Sequence, residues 1–329
     1  MQPILEVKNL KTEFFTEVGV ARAVEGVSFN VTKGETLALV GESGCGKTVT
    51  ALSIMRLVPS PPGKIVAGEI FFKGEDLLGL PASKMRTIRG RHIGMIFQEP
   101  MSSLNPLYTI GYQIKEALLA HKRAKGRQAR ERAIQLLSRV EMPDPKQRFK
   151  DYPHSLSGGL RQRAMIAQAI ACNPELVIAD EPTTALDVTI QAEILELFFH
   201  LKKTTETSFL LITHDLGVVA EVADRVCVMY AGRIVEEADV FTLFSRPRHP
   251  YTLGLLNSIP ARRQPRQKFA AIPGVVPDPK NKPSGCAFHP RCNMADSGCQ
   301  IGVPALIEVE EGHKVRCFKH KKLADTNDS

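Results

Sequence analysis

Thr36-Leu-Ala-Leu-Val-Gly41-Glu-Ser-Gly-Cys-Gly46-Lys47-Thr48 is the stretch from which the fold can be read. Thr36–Val40 is a short unbroken apolar run, the pattern of a strand buried on both faces of a parallel sheet. Gly41 to Thr48 then follows the spacing G-x-x-x-x-G-K-T, and Val49–Leu57 reads as the start of a helix. Strand, glycine-rich loop and helix together form a phosphate cradle: backbone amides fold around anionic oxygens while the helix aims its N-terminal partial positive charge at them. The candidate nucleotide contacts are therefore Gly41, Ser43, Gly44, Cys45, Gly46, Lys47, Thr48 and Val49. Lys47 is expected to reach the β- and γ-phosphates, and the Thr48 hydroxyl to ligate Mg²⁺.

A nucleotide site needs a second half, and Leu176-Val-Ile-Ala-Asp180-Glu181 supplies it as a hydrophobic strand ending in two carboxylates. Asp180 is placed to hold the metal through water, and Glu181 to act as general base on the attacking water. Many strands end in exposed acids, so the pair gains meaning only from the loop upstream. Between the two lies Leu156-Ser157-Gly158-Gly159-Leu160-Arg161-Gln162-Arg163. Its glycines admit close approach to an anionic oxygen, Ser157 adds a hydroxyl donor, and the segment opens a helix whose N-terminus favours a γ-phosphate. In isolation a Ser-Gly-Gly run is usually only a loop.

Around these motifs the texture changes in blocks. Ile4–Val7 and Val24–Val31 alternate in the manner of antiparallel strands. From about Glu99 to Ala171 the period is helical: Ala133, Leu136, Leu137 and Val140 share one face of Gly126–Val140. Ile93–Phe97 and Phe209–Thr213 read as further strands and Ile190–Thr204 as an amphipathic helix, which is βαβ order with a helical insertion. Beyond Arg246 the chain becomes Pro-rich and basic and carries four of the seven cysteines, and it is expected to form a separate small appendage. Truncation after about Ser245 is accordingly expected to spare the fold of the rest.

With 329 residues the chain can hold one large α/β domain and an appendage. The 43 Lys and Arg exceed the 35 Asp and Glu by 8. The basic stretches Lys122–Arg132, Arg262–Lys268 and Lys314–Lys322 lack interleaved aromatics, so they read as solvated faces rather than a nucleic-acid platform. MQPILEVKNLK, Met1 to Lys11, has no apolar core of a secretory signal, and no run approaches the ~20 residues of a membrane span. The expectation is a protein that stays in the cytoplasm and does any work at a membrane through partners, without nucleic acid.

The ordered set of motifs resembles the ABC ATPases over about residues 4–245. That resemblance implies an α/β nucleotide-binding domain with a RecA-like core, an antiparallel β subdomain and a helical subdomain at about 99–171, followed by the Cys-rich appendage at 246–329. It identifies Gln98 with the Q-loop glutamine that senses Mg²⁺ and faces the transmembrane coupling helix. Ala185-Leu186-Asp187 resembles the D-loop that crosses the dimer interface, and His214 the histidine that contacts the γ-phosphate. Phe14 resembles the aromatic that stacks on adenine, although neighbouring Phe15 or a plain core placement fits the sequence equally. Leu160 stands where the family signature commonly has Gln. Catalytic roles thus fall to Glu181, His214 and Gln98, and Mg²⁺ contacts to Thr48, Gln98 and Asp180. One copy of each motif implies that the chain pairs, the phosphate loop of one domain facing Ser157, Gly158 and Gly159 of another.

Glu99-Pro-Met-Ser-Ser-Leu-Asn-Pro106, Arg248-His-Pro-Tyr-Thr-Leu-Gly-Leu-Leu256 and Pro273-Gly-Val-Val-Pro277 resemble the oligopeptide/dipeptide importer ATPases of the OppD/DppD type. This implies a heterodimer with a second ATPase of the OppF/DppF type, two transmembrane permeases and an extracytoplasmic peptide-binding protein. An importer of nickel or another small solute, or a soluble ABC ATPase acting on ribosomes or DNA, are the alternative readings. Cys286, Cys292, Cys299 and Cys317 form a four-thiol set in a reducing compartment, open to an iron–sulfur cluster, to Zn²⁺ or to no ligand. The OppD/DppD resemblance favours [4Fe–4S]. Cys45, Cys172 and Cys227 read as ordinary buried thiols, Cys45 being the one whose alkylation would block nucleotide.

Overall fold

The structure is a computed structural model that describes residues 2–184, 186–259 and 272–327. The expected Arg262–Lys268 basic stretch and Ala185 lie outside the described residues. The chain divides into two compact units: residues 3–31, 35–78 and 212–329 form one, and 79–211 with the short 32–34 segment form the other.

The first unit carries an antiparallel sheet built from Pro3–Thr16, Gly19–Thr32, Gly63–Phe72 and Glu75–Asp76. Pro3–Thr16 pairs with Gly63–Phe72 in the register Leu5↔Phe72 and Val7↔Ile70, which puts buried side chains opposite one another. The expected short strands Ile4–Val7 and Val24–Val31 are therefore parts of two strands of 14 residues each. In the same unit Thr36–Val40, buried at every residue, runs parallel to Arg225–Tyr230 with Val40 beside Val228. Arg225–Tyr230 turns through Ala231-Gly232 into the antiparallel strand Arg233–Asp239.

The cysteine-bearing tail does not stand apart. His313–Val315 pairs antiparallel with Arg233–Asp239, and Ile307–Glu310 with His313–Val315, so the tail extends the sheet that contains Thr36–Val40. Tyr251, Leu256 and Phe288 from the tail lie in one apolar core with Val40, Val228 and Tyr230. The Tyr230, Tyr251 and Phe288 rings sit 4.6 to 5.3 Å apart in tilted or edge-on pairs, the arrangement that aromatic quadrupoles prefer. The expectation of a separate appendage is thus corrected: a Pro-rich texture interrupts regular secondary structure but does not stop isolated aromatic residues from entering a shared core.

A buried acid and a buried histidine tie this tail down. The Glu236 carboxylate, fully buried, accepts the backbone N–H of Arg248 (2.5 Å) and of His249 (3.0 Å) and pairs with His313 Nε2 at 2.8 Å. His249 is itself buried, its Nδ1 accepting from Tyr251 N at 3.0 Å, and burial holds its imidazole down to about 3.

In the second unit, Ile93–Ile96 and Leu176–Asp180 are parallel neighbours, Ile96 beside Ala179. The helices Ile110–Ala120, Gly126–Arg139 and Gly158–Ala169 pack on one another through residues including Ile114, Leu118, Leu137 and Met165. Arg163, buried, donates to Val140 O at 2.6 Å, satisfying a carbonyl just past the end of Gly126–Arg139, and to Glu193 at 2.7 Å. Leu176–Asp180 has its expected bounds, and Val188–Thr205 and Ser208–Thr213 lie within two residues of theirs. Among the described residues no helix is long and apolar enough to cross a membrane.

Two outcomes are expected from the tail packing. Phe288→Ala should lower unfolding free energy by about 3–5 kcal/mol, and a chain ending at Ser245 should lose a cooperative melt, as followed by denaturant titration and calorimetry. Because His249 is neutral when folded but has an ordinary value near 6.5 when unfolded, the unfolded chain binds the extra proton between those values. Stability held above pH 6.5 is lost progressively as pH falls toward about 3, and His249→Gln should flatten that part of the melting-temperature profile relative to wild type.

Candidate functional site

The phosphate loop owes its shape to two contacts that leave no room for a side chain. A Cβ on Gly41 would lie 2.2 Å from Met229 O, and one on Gly46, whose φ is +105°, would lie 2.4 Å from Ala23 O. Only glycine fits there. The helix Lys47–Ile54 begins directly after Gly46, so its unsatisfied N–H groups open onto the loop, and Ser43, Gly44 and Thr48 are exposed on it. Val49 is half-buried and its carbonyl accepts from Ser53 Oγ at 2.6 Å. The Lys47 ammonium is buried and donates to Gly41 O at 2.7 Å and Glu42 O at 3.0 Å, folded over the hollow that its own loop encloses.

Cys45 is fully buried beneath the loop and its thiol is pushed up by burial, so it is a poor nucleophile. Alkylation there, expected to block nucleotide, would have to reach a thiol that is buried. Cys172 and Cys227 are buried thiols as expected. Phe14 is half-buried opposite Gly63, where an added Cβ would come 2.9 Å from its ring; Phe15 is about half exposed. His214 is exposed at the bend after Ser208–Thr213, and Asp215 beside it caps the helix Leu216–Val222 by accepting from Gly217 N and Val218 N.

In the other unit, Asp180 is buried at the end of its strand, and Glu181 follows with φ +46°. A left-handed backbone is uncommon for any residue but glycine, and such strain persists where the surroundings over-determine it. The turn swings the Glu181 carboxylate to Gln98, whose Nε2 donates to Oε2 at 3.2 Å, and to Thr184, whose hydroxyl donates to the same oxygen at 2.9 Å. Two residues assigned separately from sequence, Gln98 and Glu181, are thus in contact.

Ser157, Gly158 and Gly159 lie at a helix start, as expected, with the Ser157 hydroxyl as N-cap on Leu160 N (3.4 Å). Gly159 has a further reason to be glycine: a Cβ would stand 2.8 Å from Ile190 Cγ2, so its absence lets Gly158–Ala169 close on Val188–Thr205. Asp187 was expected at an interface between domains; here its carboxylate caps Val188–Thr205, accepting from Ile190 N at 3.0 Å.

Cys286, Cys292, Cys299 and Cys317 all line one small cavity, alongside Phe288 and His289. None is in a disulfide. Burial pushes the Cys286 and Cys292 thiols up and takes Cys317 to about 12. Among the described residues no three His, Cys, Asp or Glu side chains are close enough together to hold one metal ion. The expected four-thiol set is therefore gathered on one cavity without being drawn to ligating distances.

Sequence reasoning missed Glu42 and the residues that hold it. Its carboxylate takes two guanidinium nitrogens of Arg291, at 2.6 and 3.0 Å, and its N–H donates to the Tyr251 hydroxyl at 2.8 Å. Nothing local in the sequence links positions so far apart.

Comparison with known proteins agrees with this geometry. The ABC transporter family matches residues 24–184, and the C-terminal region of oligopeptide/dipeptide transporters matches residues 235–299. The oligopeptide transport ATP-binding protein AppD of Bacillus subtilis is 54% identical over 98% of this chain and 98% of its own. The dipeptide transport ATP-binding protein DppD of the same organism is 49% identical over 99% and 97%. A dimeric ATP-binding cassette solved in a post-hydrolysis state with ADP and phosphate superposes with a TM-score of 0.65 at 28% identity, covering 72% of this chain and 98% of that one. The chain belongs to the ATP-binding subunits of ABC transporters, and it is an ATPase of that type.

Gly46→Ala should force the loop off the Ala23 carbonyl and weaken binding of a fluorescent Mg-ATP analogue by at least about tenfold. Lys47→Ala should do the same by removing the cation; unchanged titration curves would sink the assignment of the loop.

Proposed function

We propose that this protein hydrolyses ATP to drive uptake of di- or oligopeptides through separate membrane permeases. The contact between Gln98 and the strained Glu181 carries the reading, because it couples a base for water to the residue that faces the membrane partner in this family. The match of residues 235–299 to the oligopeptide/dipeptide transporter C-terminal region favours peptides as cargo.

In the mechanism proposed, Gly41, Ser43, Gly44, Cys45, Gly46 and Val49 hold the phosphates through the loop and helix start, Lys47 neutralises β- and γ-oxygens, and Phe14 or Phe15 stacks on adenine. Thr48, Gln98 and Asp180 would hold Mg²⁺, which when bound would supply positive charge against the phosphates. Glu181 takes the proton from water as its oxygen bonds to the γ-phosphorus and the bond to the ADP oxygen breaks. His214 contacts the γ-phosphate, and Ser157, Gly158 and Gly159 of a paired subunit cover it, with Asp187 near the pair. ATP closes the pair; release of ADP and phosphate reopens it. The motor is assigned to 1–245, with its helical part at 99–171, and the tail to 246–329. The partner set is a second ATPase of the OppF/DppF type, two permeases and an extracytoplasmic peptide-binding protein, at the cytoplasmic face of the inner membrane.

For the tail we infer a [4Fe–4S] cluster on Cys286, Cys292, Cys299 and Cys317, with Zn²⁺ as the other occupant that four thiolates accept. The donor set fits in kind: four thiols and no carboxylate on one cavity, where burial disfavours thiolates unless a cation compensates them. Anaerobic preparation should give about four irons and four sulfides per chain with visible absorption; stoichiometric zinc or no metal would reject the cluster.

Glu181→Gln should bind ATP with wild-type affinity while turnover falls by about 10²–10⁴, the range for loss of a general base. In the reconstituted transporter, peptide-loaded binding protein should stimulate hydrolysis; stimulation only by a metal-ion or other small-solute complex would reject peptides as cargo.

A further inference from the structure

Glu42 is the second residue of the phosphate loop, and each of its polar groups has a partner. Its carbonyl accepts from Lys47 Nζ at 3.0 Å, its N–H donates to the Tyr251 hydroxyl at 2.8 Å, and its carboxylate takes both terminal nitrogens of Arg291. Two of the three partners come from beyond residue 245. Arg291 is fixed from its own side as well: Nε donates to Pro273 O at 2.8 Å, and the guanidinium reaches the Tyr230 hydroxyl at 3.4 Å. Its side chain is 5% exposed, against 31% for Glu42. A planar fork with two parallel bonds fixes direction as well as charge, which a lysine ammonium cannot do.

We propose that Arg291 is a positioning residue for the phosphate loop: it holds the Glu42 peptide from behind, and that same peptide seats the Lys47 ammonium in front. The inference rests on the nucleotide reading of Gly41–Thr48. Arg291 closes a one-turn helix, His289–Arg291, bounded by Cys286 and Cys292, whose ends are joined by bonds from His289 N to Cys286 O and from Cys292 N to His289 O. The turn that sets Arg291 is therefore part of the wall of the thiol cavity. A ligand there would bear on the phosphate loop through this turn, and the tail belongs to the nucleotide site as a brace.

The test is a double-mutant cycle on the full-length chain, read by affinity for a fluorescent Mg-ATP analogue, by KM and kcat for ATP, and by melting temperature. Arg291→Met is expected to weaken the analogue about tenfold and raise KM to match, with kcat at saturation within about twofold of wild type. Glu42→Gln should have the same effect, the double variant should be no weaker than either single, and Arg291→Lys should fall between. Wild-type affinity in Arg291→Met, or single effects that add in the double, would overturn the proposal. If Arg291→Met does not fold, Glu42→Gln decides, because that carboxylate is partly solvated. Failure of the wild type to bind the analogue would instead reject the nucleotide reading itself.

Discussion

The closest constraint in this molecule is backbone against backbone: Gly46 against the carbonyl of Ala23 and Gly41 against that of Met229, each with less room than a single carbon needs. These contacts press the loop onto the Pro3–Thr32 hairpin on one side and the end of Arg225–Tyr230 on the other. The loop therefore has one shape available to it, and a helix N-terminus is aimed into that shape by the chain's own covalent continuity. Lys47 can be buried only because the loop's carbonyls accept from it, since an ammonium out of water needs partners.

The second unit works by strain where the first works by packing. Glu181 in the left-handed region stores energy that an extended residue would not. Gln98 and Thr184 both donate to the same oxygen of its carboxylate, so two bonds fix the direction in which that group faces.

How much of this could be read from the residues depends on how local the cause is. Thr36–Val40 and Leu176–Asp180 have the bounds expected of them because burial on both faces leaves an unbroken apolar run. Gly126–Arg139 ends one residue before the expected Val140 for a similar reason, a strict 3.6-residue period. Gly63–Phe72 was invisible: Gly68, at φ +102° and packed on Leu10, breaks its alternation, and the strand exists through pairing with a segment some sixty residues earlier. In the site, the glycine-rich spacing of Gly41–Thr48 and of Ser157–Gly159 was legible, whereas the packing and capping purposes of individual residues were not. Gly159 is glycine for the close approach of Ile190, and Asp187 spends its carboxylate on its own helix.

The tail shows why composition misleads about domain structure. Ten prolines and a run of basic residues suggest a core-poor annex, yet what decides membership of a core is where a few large side chains go. Tyr251 and Phe288 each bury a ring against Tyr230, at the end of the strand beside Val40, and Arg291 follows Phe288 by three residues. Once Phe288 is seated, the short turn behind it has little freedom, and the guanidinium arrives at Glu42 with its entropy already spent by the hydrophobic packing. The polar brace on the phosphate loop is thus a consequence of an apolar anchor. This ordering explains how a charge pair with one partner half in water holds a defined geometry: the aromatic cluster fixes the arm, and the ion pair only has to fix the hand.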